Sequence, residues 1–192
     1  MEQRLKQALS RRQKRHVVDA RWVSSAVLIP IYYKEGEYHI LFTKRTEKVK
    51  DHKGHISFPG GAYEEQDGTL ANTALRESTE EIGLAGEAVE LLGELDDMAT
   101  IGSGYIISPF VGIIPWPYPF KADPFEVEEI IEVPISALLD EDCVRRGTDT
   151  VDGQVVPTYF YDYQGKVIWG ATARILNQFL DIYTRVMNDT GE

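Results

Sequence analysis

Glu77, Glu80 and Glu81 lie three and four residues apart within residues 70–82, a stretch whose apolar positions recur with the period of a helix. That spacing forces three carboxylates into one patch, where each facing like-charge pair costs roughly 0.2–0.5 kcal/mol. Glu80 and Glu81 also fall in the last turn, where the helix dipole disfavours anions by roughly 0.3–1 kcal/mol each. Arg76 pairs with Glu80 one turn on, but one cation does not neutralise three anions. Clustered hard oxygens suit Mg2+ or Mn2+, and a cation held there would bridge an acidic protein to phosphate oxygens. A solvated acidic helix end is the competing reading of the same residues. Upstream, Phe58-Pro59-Gly60-Gly61 follows a strand-like Ile56-Ser57. Two glycines permit close backbone approach, so the Gly60 carbonyl is a further candidate ligand.

These residues need a scaffold, and the chain supplies one. Asp67-Gly68-Thr69 opens the helix and Gly83 stops it, with Leu70, Ala71, Ala74, Leu75, Ser78 and Ile82 predicted on its core face. Ser78 on that face must find a hydrogen bond. Apolar β-rich runs at 23–33 and 38–44, separated by Lys-Glu-Gly-Glu, predict a hairpin. Further strands are predicted at 88–95, 105–114 and 126–133, a short helix at 134–139, a second hairpin at 155–163 and 166–169, and an amphipathic helix at 171–186. Strands with helices inserted between them, without strict βαβ alternation, predict one α+β or α/β sandwich domain over residues 22–192. Residues 1–21 read as a separate basic N-terminal helix, solvated and amphipathic, with Leu5, Ala8 and Leu9 at helical spacing.

The 192 residues include 31 acidic and 20 basic side chains, a net charge of −11. This opposes attraction to nucleic acid or anionic membrane, and an anionic substrate would need a local cation. The uncharged run 98–120 is long enough to span a bilayer, but Gly102, Ser103, Gly104 and four prolines mark it as strand plus turn. The lone Cys143 cannot form an internal disulfide, which suits a cytoplasmic location.

Gly61, Asp67 and the run Arg76-Glu77-Ser78-Thr79-Glu80-Glu81-Ile82-Gly83-Leu84 together resemble the Nudix box. They depart from it where Asp67 replaces Glu, where Ser78 replaces an apolar residue, and in one extra residue between Asp67 and Arg76. A second resemblance lies upstream. Leu41-Phe42-Thr43-Lys44-Arg45-Thr46, Lys50, His52 and Gly54, running into Phe58-Pro59-Gly60-Gly61, are similar to the signature of the coenzyme A pyrophosphatase branch. The likeness implies an α/β/α sandwich with a mixed sheet, and Mg2+ or Mn2+ held by Glu77, Glu80, Glu81 and the Gly60 carbonyl. It further implies Arg76 orienting the glutamates, with Gly61 and Asp67 supporting the site. Coenzyme A carries a diphosphate and a separate 3′-phosphate, so the branch implies fixed cations for the latter: Arg45 and Lys50, with His52 as a donor. The base that activates water is Glu126, within Glu126-Val127-Glu128-Glu129, or Glu77. The implied products are 3′,5′-ADP and 4′-phosphopantetheine. ADP-ribose or NADH as substrate, a non-catalytic nucleotide-binding module, and a nucleic-acid binder using the basic segment are the alternatives, and a homodimer is compatible with each. Asp96 and Asp97 read either as support for the metal site or as turn caps. The aromatic run 116–120 reads as an adenine stack or as a stiff loop over the core, and His16 and His39 read as surface residues.

Overall fold

The computed structural model describes residues 1–48, 54–100, 103–151 and 154–189. In chain order the elements are α1 (Glu2–Arg11), β1 (Val23–Lys34), β2 (Glu37–Arg45), β3 (Ile56–Ser57), β4 (Gly60–Ala62), α2 (Leu70–Ile82), β5 (Glu90–Glu94), β6 (Met98–Ala99), β7 (Tyr105–Ile113), β8 (Val127–Pro134), α3 (Ile135–Leu138), β9 (Val144–Val151), β10 (Gln154–Tyr163), β11 (Lys166–Ile168) and α4 (Gly170–Asn188). The predicted hairpin closes through Glu35 and Gly36 at φ of 53° and 96°, the two left-handed residues that a tight turn with strand-matched twist requires.

The main sheet runs β3-β2-β1-β7-β5, with β4 beside β1, β6 beside β7 and β8 beside β2. β1 and β7 are parallel and the other pairs antiparallel, so the sheet is mixed. From Ser25 to Tyr32 only Val27 of β1 is less than fully buried, because both faces of the sheet are covered. One face packs on α1, α4 and a small sheet, β11-β10-β9, through a core that includes Leu5, Leu9, Phe42, Phe58 and Phe179. The other face packs on α2 and the segment after β7, through Ala26, Leu28, Leu41, Ala74, Ile82 and Leu84, with Trp116, Tyr118 and Phe120 beside them. The result is the α/β/α sandwich with a mixed sheet.

Three expectations need correction. The N-terminal helix ends at Arg11, well inside the basic segment, and is not solvated: Leu5 and Leu9 are both in the core. Residues 12–17 are stapled to the strand ends by Asp96 and Asp97. The Arg12 guanidinium bonds Asp96, the Lys14 ammonium lies 2.8 Å from Asp97, the Arg15 and Val17 amides donate to Asp96 and Asp97, and Ser108 donates to Asp97. These aspartates hold the chain terminus rather than the candidate site, and the segment's cations are largely neutralised from within. His39 is buried, its ring stacked on Tyr32, because β2 turns it to the same covered face as Leu41; His16 is at the surface, as expected. Among the described residues no helix is long and apolar enough to cross a membrane.

Candidate functional site

Thr69 caps α2 by accepting the Asn72 amide at 3.2 Å, and Gly83 closes it in the left-handed region at φ of 68°. Ser78 satisfies its hydroxyl on the Ala74 carbonyl at 2.7 Å. The buried face is rotated from the predicted one: Ala74, Ser78 and Ile82 are buried as expected, but so are Thr73 and Glu81, while Leu70, Ala71 and Leu75 are only partly covered. The rotation carries Glu81 inward, toward the glycine strand β4.

At that strand the two glycines do separate work. Gly60 lies at φ of +156°, and a Cβ there would stand 2.3 Å from the Ala26 carbonyl oxygen, so β4 can lie this close to β1 only without a side chain. The Gly60 amide donates to Glu81 at 3.3 Å. A Cβ on Gly61 would stand 2.4 Å from Glu77 Oε1, so the Glu77 carboxylate fills the space that glycine leaves.

One arginine wires the cluster. Arg76 donates to Asp67 at 2.8 Å and to the Ala62 carbonyl at 3.0 Å, and its Nη1 lies 2.9 Å from both Glu77 and Glu80. Asp67 is buried and also receives Thr73 Oγ1 at 2.8 Å and the Glu64 amide at 3.0 Å. The Arg76 guanidinium, with these donors, holds its carboxyl well below the usual carboxylate range. Glu77 and Glu81 go the other way. Burial raises the proton affinity of Glu77, with Glu80 and Glu126 adding to it and Arg76 opposing. Burial pushes Glu81 up to about 8, with Glu77 and Glu126 adding and Arg45 and the Gly60 amide opposing. Arg45 Nη1 stands 3.5 Å from Glu81 Oε1.

Glu126 therefore belongs to this field. It ends a loop, 114–126, that caps the helix carrying the glutamates: the Lys121 and Asp123 amides donate to the Ile82 and Glu81 carbonyls, each at 2.9 Å, and Tyr118 bonds the Gly83 carbonyl and the Ala85 amide. Its neighbours Glu128 and Glu129 are taken by Lys44 and Lys166, whereas among the described residues no side chain hydrogen-bonds the Glu126 carboxylate. The β2–β8 pairing shifts register between Lys44 and Arg45, where Glu128 is the extra residue on β8, and Arg45 reaches Glu81 opposite the start of β8. The aromatic run is a cover for the core, with Trp116 stacked on Tyr32 at 4.7 Å, and not an open stack. Lys50 and His52 lie outside the described residues. The capping amides of Lys121 and Asp123 were beyond sequence reasoning, since backbone donors carry no residue signature.

The donor set suits a hard divalent ion: three carboxylates on one helix end, with Glu81 buried, Glu77 half-buried and both raised in proton affinity. As placed, among the described residues no three acidic, His or Cys side chains stand close enough together to hold a metal ion; guanidinium groups engage the carboxylates instead.

The fold and the site define an α/β/α protein whose acidic helix end faces a glycine strand and a loop glutamate. The NUDIX domain family matches residues 22–142, and an uncharacterised Nudix hydrolase, NudL, from Photorhabdus laumondii is 37% identical over 154 residues, 80% of this chain and 81% of that protein. The chain belongs to the Nudix family. Among solved structures, a MutT/nudix family protein from Enterococcus faecalis aligns at a TM-score of 0.59 with 14% identity, over 90% of this chain and 64% of that one. The NUDIX domain of Shewanella oneidensis NrtR, solved with ADP-ribose, aligns at 0.51 with 16% identity, over 64% and 81% of the two chains. At these identities the likeness is one of fold. Family membership supports a pyrophosphatase that acts on a nucleoside diphosphate derivative, in a class that generally uses divalent metal ions.

Proposed function

We propose that this chain hydrolyses the diphosphate of coenzyme A, or of its thioesters, to 3′,5′-ADP and 4′-phosphopantetheine. The observation that carries the reading is that both ends of the upstream signature reach the same box carboxylate: Arg45 and the Gly60 amide each contact Glu81. These contacts support a role for the coenzyme A-type signature at the reacting centre, where cations for phosphate are needed.

Glu77, Glu80, Glu81 and the Gly60 carbonyl would hold Mg2+ or Mn2+, which when bound neutralises the diphosphate and lowers the pKa of water. Arg76, fixed by Asp67, sets the orientation of Glu77 and Glu80. Glu126, exposed and among the described residues free of side-chain hydrogen bonds, takes a proton from the attacking water. The water oxygen forms a bond to one phosphorus as the bridging P–O bond breaks, and the bridging oxygen leaves on the other phosphate. Glu77 is the alternative base, favoured by its raised proton affinity. Arg45, with Lys50 and His52, would bind the 3′-phosphate.

The test is product analysis with coenzyme A and dephospho-coenzyme A in Mg2+ or Mn2+ against EDTA, with Glu80→Gln alongside. Metal-dependent release of 3′,5′-ADP, weaker on the dephospho form and lost in Glu80→Gln, supports the reading. Activity on ADP-ribose or NADH with none on coenzyme A assigns the site to another nucleoside diphosphate. Glu126→Gln and Glu77→Gln separate the bases, since loss of the base removes the acidic limb of the pH–rate profile.

A further inference from the structure

The two arginines of the site are bonded very differently. Arg76 is saturated, with four partners between 2.8 and 3.0 Å. Arg45 has a fixed backbone, its amide on the His55 carbonyl at 2.9 Å and its carbonyl receiving the Gly54 amide at 3.2 Å. Its side chain is under-bonded: Nη1 is 3.5 Å from Glu81, longer than a charge-assisted hydrogen bond, and the buried Nε has no partner among the described residues. Glu81 is only 3% exposed, so the guanidinium is its main counter-charge in a site where an uncompensated carboxylate is costly. A divalent ion on Glu81 would supply that charge twice over and repel the guanidinium.

Building on the metal-dependent reading above, we propose that Arg45 is a two-position cation. Without metal it lies against Glu81 and neutralises that carboxylate when it is ionised, and when a divalent ion takes Glu81 the guanidinium is released to bind a phosphate group of the substrate. Metal binding thus precedes and enables phosphate recognition by this residue. A long, partly satisfied contact suits a group that must leave, just as the saturated Arg76 suits one that must stay. A ligand shifts such an equilibrium only by its differential affinity for the two positions, and the 2+ charge provides it.

Removing the Glu81 charge should mimic the metal. The probe is adenosine 3′,5′-bisphosphate, which carries the 3′-phosphate assigned to Arg45, titrated calorimetrically in EDTA at pH 9, where Glu81 is ionised, into the wild type, Glu81→Gln, Glu77→Gln and the double variant Glu81→Gln/Arg45→Met. Glu81→Gln is expected to bind at least about tenfold tighter than wild type, as for one freed charge-assisted contact to phosphate. The gain should vanish in the double variant and be absent in Glu77→Gln, which removes the same charge from a carboxylate held by Arg76. An equal gain in Glu77→Gln, or one that survives Arg45→Met, would reduce the effect to a general field and overturn the switch. A second measurement needs no variant of Glu81: the Arg45 Nε–H resonance of the wild type, assigned with Arg45→Lys, followed in a Mg2+ titration. A shift to a solvent-exchanging position supports release, and a resonance unmoved while Glu77 and Glu80 amides respond overturns it. No Mg2+ response anywhere overturns the metal reading and the switch with it. A working switch in a protein inactive on coenzyme A refutes only the substrate.

Discussion

Substituting each of the two adjacent glycines by alanine should produce opposite defects. At Gly61 the atoms nearest the new methyl all belong to the Glu77 carboxyl, at 2.4 to 2.7 Å, the movable end of a flexible side chain. Relief requires a displacement of about 1 Å to restore ordinary van der Waals separation. The backbone at Gly61 is not left-handed, so Gly61→Ala should keep its melting temperature within about 4 °C of wild type, a change of no more than about 1 kcal/mol for a chain of this size. A 1 Å displacement in a reacting centre can lower turnover by about 10²-fold, and Mn2+ affinity, read by electron paramagnetic resonance, should weaken with it. At Gly60 the methyl meets backbone instead, the Ala26 oxygen at 2.3 Å and Val27 Cα at 2.6 Å, at a φ of +156°. Nothing there can swing aside, so Gly60→Ala should cost about 3 kcal/mol or more and separate β4 from β1. A Gly61→Ala protein with wild-type metal affinity and turnover would refute the placement of Glu77 in the site. A Gly60→Ala protein of unchanged stability would refute the packing of β4.

Three further outcomes follow from named contacts. Asp67→Asn breaks a buried pair and should cost about 3–5 kcal/mol in denaturant unfolding. Because the Asp67 pKa is depressed, its contribution is fully present above the unfolded value near pH 4 and is lost as pH falls below that, so the variant should also show a shallower acid decline than wild type. Leu9→Ala should destabilise by about 2–5 kcal/mol without changing nucleic-acid affinity, since the N-terminal helix is core and Lys6, Arg12 and Lys14 are paired with carboxylates; a change below about 1 kcal/mol would restore the solvated-helix reading. Tyr118→Phe removes a donor to Gly83 and an acceptor for Ala85, which should cost about 1–2 kcal/mol and show as faster amide exchange at the end of α2.

What could be read from the sequence was local. The helix ends were legible because Thr69 and Gly83 act within one turn of themselves, and the Arg76–Glu80 pair because four residues bring two side chains to one face. The strands β1, β2, β7 and β8 announced themselves by apolar runs. By contrast, β9 is exposed through Arg145, Arg146, Gly147, Thr148 and Asp149, so no alternation betrays it. Family likeness implied that Asp67 and Arg76 support the site but not that they pair, and Asp97 meets Lys14 across more than eighty residues, a distance no periodicity spans. His39 is a different case: its alternation with Leu41 in a strand was there to be used and would have placed it inside.

The inward rotation of α2 leaves a carboxylate that the fold alone does not need. Burial disfavours the Glu81 charge by more than the 3.5 Å contact with Arg45 restores, so the ionised carboxylate is held at a cost to stability. Its elevated pKa gives this a measurable form. The unfolded side chain titrates near pH 4.3, whereas the folded one retains its proton up to about pH 8. Across that window the folded state binds the extra proton, so the contribution of Glu81 to the stability of the metal-free protein falls as pH rises from about 4.3 to 8. Glu81→Gln removes that contribution, and at pH 8 in EDTA it should melt at least about 2–4 °C above wild type, the equivalent of 1 kcal/mol. Saturating Mg2+ should reverse the order by stabilising only the protein that keeps its ligand. A Glu81→Gln variant less stable than wild type at pH 8 without metal would mean that Arg45 already compensates the charge in full, and the case for Glu81 as a functional group under strain would fall.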